Sequence, residues 1–230
     1  MDCTLCENEF GRYAVPLSSK HRPAAQAVLH GGVWERETID YVRAHADRDV
    51  VHAGTYFGDF VPALSAAMAP GRTIYAFEPN SENHACAQWT MLLNALGNVR
   101  LQHAALGDAS STRQMQTAQA GIALGGMSRI TNAAQGPVGD YEDVTTVRLD
   151  DVLPETSDIG VLQLDVEGFE EPALTGALGT ITRCRPILIL ETVPAAFIGS
   201  CLVPLGYQQR GAVCGNAIFQ ADPMSGGDVG

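Results

Sequence analysis

The chain has 230 residues, of which 46% are hydrophobic and 17% are charged. This length favours one domain with modest additions, and the composition excludes a wholly disordered chain and a coiled coil. Fourteen basic residues against 26 acidic ones give a net charge of −12. Such a chain repels phosphate backbones at long range, so we expect no nucleic-acid partner and no polybasic membrane attachment.

No apolar run reaches the ~20 residues that a membrane-spanning helix needs, and no secretory signal is recognisable at the N-terminus. Six cysteines in a chain of this length do not suggest a disulfide framework. We therefore expect a cytoplasmic protein with reduced thiols and no membrane partner. Cys3 and Cys6 have the spacing of half a zinc site or a redox pair, but no second ligand pair follows nearby.

In chain order, residues 1–30 show no sustained hydrophobic period and are predicted to be a loose N-terminal extension. Residues 31–222 are predicted to form the domain, and residues 223–230 a flexible tail. Helical spacing of apolar residues predicts helices over 34–46, 59–69, 81–95 and after Gly168. Predicted strands cover 50–53, 73–77, 99–103, 144–149, 161–165 and 186–191, with a closing hairpin near 207–219.

Strands that alternate with helices of this length indicate βαβ units and a mainly parallel, doubly wound α/β sheet. The helix over 81–95 is predicted to bury one apolar stripe in the core, formed by Trp89, Leu92, Leu93 and Leu96. Residues 109–143 are too long for a plain connection and are predicted to be a functional loop, a short hairpin or a lid. There we expect acceptor specificity, with Arg129 either pairing with an anionic acceptor or solvated.

Ligands of such sheets bind at the carboxyl ends of the strands. Gly54 and Gly58 follow the first strand of the domain and allow a tight turn at a helix N-terminus, although they could also serve only helix packing. Glu78 follows the next strand, where a carboxylate can accept hydrogen bonds from both ribose hydroxyls. Together they indicate a cofactor that contains a nucleoside.

Several nucleoside cofactors are excluded by missing residues. Lys20 is the only lysine, so the chain has neither a GK[ST] phosphate loop nor a Tyr-x-x-x-Lys dehydrogenase pair. A three-glycine dinucleotide fingerprint is also missing. S-adenosylmethionine remains, because it has ribose hydroxyls and no phosphate.

The segments HAGTYFGDF, IYAFEPNSENH, LQHAALGD, VRLDDVL, LQLDVEGFEEPALTGA and ILILE resemble, in order and spacing, the FkbM-type S-adenosylmethionine-dependent methyltransferases. The resemblance covers about residues 32–220, and its most specific part is the segment from Leu164 to Glu170. It implies a class I methyltransferase fold (Rossmann-like). It also implies methyl transfer, usually to a hydroxyl of a natural product, sugar or lipid-linked glycan.

The resemblance also implies roles for residues at the strand ends. The methionine part of the cofactor would contact Gly54, Thr55, Tyr56 and Gly58, the ribose Glu78, the adenine His103 and Ala104, and the sulfonium end Asp165. The first loop departs from the usual family pattern, because His52, Thr55 and Tyr56 replace Asp, Ala and Asn. An acidic group that normally helps to hold the cofactor's ammonium is therefore lost at His52.

Three carboxylates at or beyond adjacent strand ends, Asp165, Glu167 and Glu191, are the candidate catalytic residues. They could position the acceptor or cofactor, act as general base, or share a divalent cation, and Glu167 could merely cap the next helix. His52 and His103 are alternative bases.

We therefore expect S-adenosylmethionine-dependent methylation of a hydroxyl on a small natural product, sugar or glycan. The alternative is a non-catalytic relative that binds a nucleoside ligand or a protein partner, and a weaker one is an unrelated α/β nucleoside hydrolase or oxidoreductase. The sequence is compatible with a monomer and with a homo-oligomer.

Overall fold

The structure, a computed structural model, describes residues 2–131 and 136–222; the predicted tail over 223–230 lies outside them. The helices there are α1 Pro23–Leu29, α2 Arg36–Arg43, α3 Val61–Ala67, α4 Ser81–Leu93, α5 Leu149–Val152, α6 Glu170–Thr175, α7 Leu178–Cys184 and α8 Ala195–Phe197. The strands are β1 Cys3–Asn8, β2 Gly11–Pro16, β3 Asp49–Ala53, β4 Ile74–Phe77, β5 Val99–Gln102, β6 Ala105–Leu106, β7 Ser111–Gln116, β8 Ala118–Gln119, β9 Ile122–Ala123, β10 Arg129–Thr131, β11 Tyr141–Val147, β12 Ile159–Leu164, β13 Ile187–Leu190, β14 Tyr207–Val213 and β15 Asn216–Ala221.

Seven strands form the central sheet in the order β14-β15-β13-β12-β3-β4-β5. The five strands from β13 to β5 are parallel, and β15 pairs antiparallel with both β13 and β14. From β3 the chain first winds outward through β4 and β5, and then returns to β12 on the other side of β3. Strand order therefore reverses between β3 and β12, where α/β sheets bind their ligands.

Both faces of the sheet are covered, which explains why its inner strands β3 and β12 are mostly apolar and buried along their whole length. Alternate residues of a strand point to opposite faces. Val50 of β3 and Val161 of β12 accordingly pack in one core cluster, with α2 and α3. Val51 and Leu162 pack in the other, with α6 and α7.

The prediction of a loose N-terminal extension is wrong for residues 2–30. β1 and β2 form an antiparallel hairpin, and Tyr13, Ala14 and Val15 are completely buried. The backbone N–H of Ala14 donates to the Thr90 hydroxyl of α4 at 3.1 Å. Because the second half of β2 is buried on both faces, it lacks the alternation by which a strand is recognised in sequence.

The predicted core stripe on α4 is also wrong. Trp89 and Leu92 are 52% and 69% exposed, and Leu93 and Leu96 are half-buried. The buried face of α4 instead carries the small or polar side chains of Asn83, Cys86, Ala87 and Thr90. The small residues are needed because this face packs closely against β2 and the turn at Gly58.

Of the three possibilities for residues 109–143, the described part forms hairpins. β7 pairs antiparallel with β10 and β11, and the short pair β8–β9 leads to a 3₁₀ turn at Gly125–Met127. The turn lies over the carboxyl end of the central sheet. Within the described ranges, no helix has the length and apolarity to cross a membrane.

Candidate active site

The ends of β3, β12 and β13 are joined directly at the point where strand order reverses. The backbone N–H of Asp165 donates to the Ala53 carbonyl at 3.0 Å, and that of Glu191 to the Leu164 carbonyl at 3.1 Å. Gly54 turns away from β3 with φ +86°, and a Cβ there would lie 1.8 Å from the Asp165 carbonyl oxygen. Only glycine allows this approach of two strand ends.

Glu78 lies at the end of the neighbouring strand and is only 4% exposed. Its carboxylate accepts the backbone N–H groups of Tyr56 at 2.7 Å and Asn80 at 2.9 Å. Burial nevertheless raises its pKa to about 8. Glu78 therefore ties the turn after β3 to the turn after β4 and keeps carboxylate lone pairs available to a ligand.

A first, small cavity of about 30 Å³ opens between these strand ends. Its polar side chains are Glu78, Ser128 and Asp165, and its walls are otherwise glycine backbone and apolar groups: Ala53, Phe77, Pro79, Ala105, Leu106, Met115, Ile130, Val166 and Phe169. An apolar slot with a buried carboxylate at one side fits a flat heterocycle that carries hydroxyl groups.

A second, larger cavity of about 290 Å³ adjoins the first and shares Gly54, Gly126 and Asp165 with it. It is strongly acidic, since its lining includes Glu35, Asp59, Asp165, Glu167 and Glu191 against a single cation, Arg22. The aromatic residues of the lining are Trp34, Tyr56 and Phe60. Such a cavity favours cationic or metal-bound ligands over anionic ones.

His52 also lines the second cavity and is 2% exposed. Its ring stacks on Phe60 at 5.4 Å, and Nδ1 lies 2.9 Å from Oε1 of Gln163. Burial lowers the pKa of His52 to about 4, so the imidazole is neutral. With Nδ1–H donated to Gln163, Nε2 carries a lone pair, and it has no partner among the described residues.

The three predicted catalytic carboxylates do lie together. Oxygen atoms of Asp165, Glu167 and Glu191 are all within 4.8 Å of one another. Burial raises the pKa of Asp165 well above its usual value, and the charge of Glu191 raises it further. Burial, and then Glu191, also raise the pKa of Glu167 to about 7. Glu167 has φ +54°, a strained backbone conformation that is common at functional sites.

Of the predicted cofactor residues, His52, Gly54, Tyr56, Glu78 and Asp165 line one or both cavities, whereas Thr55, Gly58, His103 and Ala104 line neither. The Thr55 hydroxyl donates to the carbonyl of His52 at 3.2 Å and, in an alternative geometry, to that of Phe77 at 3.1 Å. Gly58 packs against the Thr90 side chain. Thr55 and Gly58 therefore stabilise the turn after β3 and do not face either cavity.

His103 and Ala104 are displaced from the cavity by the course of the chain. β5 ends at Gln102, and His103 is exposed and stacks on His84 at 4.4 Å. The chain then forms β6, which pairs with β11 in a second, four-stranded sheet, and Ala105 and Leu106 of β6 line the cavity instead.

The sequence predicted a loop, hairpin or lid over residues 109–143, but not the contacts that hold it over the site. The 3₁₀ turn Gly125–Met127 is held there by the Asn83 amide, which donates to the Gly125 carbonyl at 3.1 Å. The Arg22 guanidinium donates to the Ala123 carbonyl at 2.9 Å. The adjacent glycines in a long loop were a usable signal for the turn, whereas Arg22 had none in a segment predicted to be loose.

Two further sequence candidates lie outside the cavities. Arg129 donates to the Gln116 side-chain oxygen at 3.1 Å. Cys3 and Cys6 are free thiols in β1. Asp165, Glu167 and Glu191 are the only metal-competent group in the part of the chain that the structure describes.

An α/β sheet of this strand order, with cavities at its reversal point, is typical of the class I methyltransferase fold. Residues 52–201 match the family described as Methyltransferase FkbM domain, which is more than half of the chain. The protein therefore belongs to this family, and the sequence-based prediction of the family is confirmed.

The fold is shared with solved methyltransferase structures. Methyltransferase FkbM from Methylobacillus flagellatus has a TM-score of 0.51 at 15% identity, over 76% of this chain and 44% of that one. The T. thermophilus 16S rRNA N2 G1207 methyltransferase, in complex with AdoMet and guanosine, has a TM-score of 0.50 at 12% identity, over 96% of this chain and 50% of that one. The chain thus spans about half the length of these two structures or less. No curated protein matches it.

Proposed function

We propose that the protein transfers a methyl group from S-adenosylmethionine to a hydroxyl of a small natural product, sugar or glycan. Membership of the FkbM methyltransferase family supports methyl transfer. The observation that carries the proposal is the pair of cavities joined at Gly54, Gly126 and Asp165. One is an apolar slot beside a buried carboxylate, and the other is acidic.

The side chains present fit S-adenosylmethionine. The apolar walls of the first cavity would hold the adenine, and Glu78 would accept the ribose hydroxyls. The acidic second cavity suits the positive ammonium and sulfonium groups. Asp59, which lines the same cavity, would supply the negative charge that residue 52 lacks.

Bound S-adenosylmethionine supplies a methyl group whose carbon–sulfur bond breaks, with the electron pair left on sulfur, as the acceptor oxygen bonds to the carbon. The protein must align the acceptor and take its proton. Glu167 is suited to accept this proton, because its pKa of about 7 lies near physiological pH. Asp165 and Glu191 beside it would position the acceptor, and the turn Gly125–Met127 would exclude water from the site.

Calorimetry and a turnover assay test this proposal together. We expect S-adenosylhomocysteine to bind at about micromolar concentration, and a panel of hydroxylated small molecules with S-adenosylmethionine to yield a methylated product by mass spectrometry. Absence of binding at millimolar ligand contradicts the cofactor assignment. Methylation of amines but not hydroxyls contradicts the acceptor class. Binding without turnover on any acceptor favours the non-catalytic relative, for which the replacement of Asp by His52 is the motivating observation.

A further inference from the structure

We propose that Asp165, Glu167 and Glu191 bind one hard divalent cation, such as Mg²⁺ or Mn²⁺, on the acceptor side of the cleft. The inference deepens the proposed function, since the cation would hold the acceptor oxygen. Carboxylate oxygens are the ligands that these cations prefer.

The spacing of the carboxylates suits a shared ion. Their oxygens lie within 4.8 Å of one another. Two oxygens that coordinate one Mg²⁺ at about 2.1 Å are at most about 4.2 Å apart, so small rotations of the side chains would bring all three carboxylates onto one ion. Backbone hydrogen bonds to Ala53 and Leu164 fix Asp165 and Glu191 at the ends of adjacent strands. Two of the three ligands are therefore held by the central sheet rather than by a loop.

No basic side chain among the described residues pairs with this group. Among the described residues, none of the three carboxylates forms an ion pair with an arginine, lysine or histidine. Arg22 lines the same cavity, but its guanidinium donates to the Ala123 carbonyl and to the Met127 sulfur. Mutually repelling carboxylates in a half-buried site require a cation or bound protons.

His52 provides an independent observation that points to a ligand in this cavity. Its ring is fixed by Gln163 on one side and by Phe60 across its face, which leaves Nε2 as an unpartnered acceptor on a side chain that is 98% buried. His52 lines the same cavity as Asp165 and Glu191. A buried lone pair without a donor is unfavourable, and a water molecule bound to the cation would supply the missing hydrogen bond.

The cation would act on the acceptor in a defined way. A hydroxyl bound to a divalent cation loses its proton more readily, because the positive charge stabilises the oxygen anion. With Glu167 a ligand of the cation rather than the base, the freed proton would pass to water, and the oxygen would be held facing the slot shared by the two cavities. The acceptor class would then be hydroxylated molecules that can coordinate a hard cation.

Electron paramagnetic resonance of Mn²⁺ tests the site without turnover. The full chain, free of cofactor, should remove one Mn²⁺ per chain from the free-ion signal, and Mg²⁺ should restore that signal by competition. Glu167→Gln and Glu191→Gln should each weaken Mn²⁺ binding by at least about 10-fold. Glu171 is an exposed glutamate in the first turn of α6 and lines neither cavity, so Glu171→Gln should leave Mn²⁺ binding unchanged.

Three outcomes overturn the proposal: no stoichiometric Mn²⁺ binding by the wild-type chain, equal binding by a folded Glu167→Gln or Glu191→Gln variant, or displacement of Mn²⁺ by S-adenosylhomocysteine. The last would assign the carboxylates to the cofactor's ammonium. Circular dichroism identifies variants that do not fold. If neither variant folds, the stoichiometry of Mn²⁺ binding by the wild-type chain tests the proposal. Calorimetry of S-adenosylhomocysteine in metal-free buffer keeps the tests separate, because cofactor binding without Mn²⁺ binding overturns only the cation.

Discussion

Replacement of Glu78 by alanine is predicted to weaken cofactor binding and fold stability separately. The carboxylate accepts two backbone N–H groups and lines the nucleoside cavity. Because the pKa of Glu78 is about 8, calorimetry is done above this pH, where the carboxylate is charged. A hydrogen bond to a charged group contributes about 1.5–3 kcal/mol, so loss of the ribose contact should raise the dissociation constant of S-adenosylhomocysteine roughly 10- to 150-fold. Two backbone donors left without their partner should also lower the free energy of unfolding by about 1–3 kcal/mol.

Asp150→Ala is the matched control for Glu78→Ala. The Asp150 carboxylate also accepts two backbone N–H groups, those of Gly179 at 2.9 Å and Thr180 at 2.7 Å, but it lines neither cavity. We expect Asp150→Ala to lower the thermal midpoint while calorimetry shows the wild-type dissociation constant. Equal affinity of the wild type and the Glu78→Ala variant would refute the reasoning, and so would an equal loss of affinity in both variants.

Three further predictions concern the strained turn, the covering hairpin and the buried imidazole. Gly54→Ala should abolish S-adenosylhomocysteine binding in calorimetry, because the new Cβ would clash with a backbone carbonyl. Gly71 has a similar φ but lies in open space, so Gly71→Ala should only lower the free energy of unfolding by about 1–2 kcal/mol. Equal effects of the two variants on binding would contradict this prediction. Tyr56→Phe removes a 2.7 Å hydrogen bond to Ser19, and both side chains lie next to Gly125 of the covering turn. The variant should therefore speed amide hydrogen exchange over residues 122–128, whereas Tyr75→Phe should not. Unchanged exchange would contradict the idea that this bond holds the turn over the site. Burial lowers the pKa of His52 to about 4, so the unfolded chain binds a proton at this residue more tightly than the folded one. Between about pH 6.5 and 4, the free energy of unfolding in urea should therefore fall by up to about 3 kcal/mol more in the wild type than in His52→Gln. Parallel pH profiles would contradict that assignment.

Sequence reasoning predicted the parts of the fold that repeat a strong hydrophobic period. The strands around Val50 and Leu162 are apolar on both faces, and each is followed by a glycine or carboxylate that marks its carboxyl end. Because parallel strands bring their carboxyl ends to one edge of the sheet, the sequence alone predicts that Gly54, Glu78 and Asp165 lie in one cleft.

Prediction was wrong or incomplete where packing across the chain decides the outcome. The α4 stripe at Trp89 and Leu92 has the right helical period, but the opposite face must carry small residues to fit against β2. Nothing local in the sequence reports that contact. Similarly, His103 follows a strand end, yet the chain leaves the sheet before it reaches the cavity. Arg22 lies at the site because the β8–β9 hairpin folds over the cleft and its Ala123 carbonyl accepts a hydrogen bond from the Arg22 guanidinium.

A crystal structure of the full chain with S-adenosylhomocysteine tests the central claim most directly. The account predicts the adenosine in the slot between Glu78 and Phe169, with the ribose hydroxyls on the Glu78 carboxylate and the amino-acid end directed toward His52. Density for the ligand at any other place, or a slot closed by side chains while the ligand binds elsewhere in solution, would contradict it.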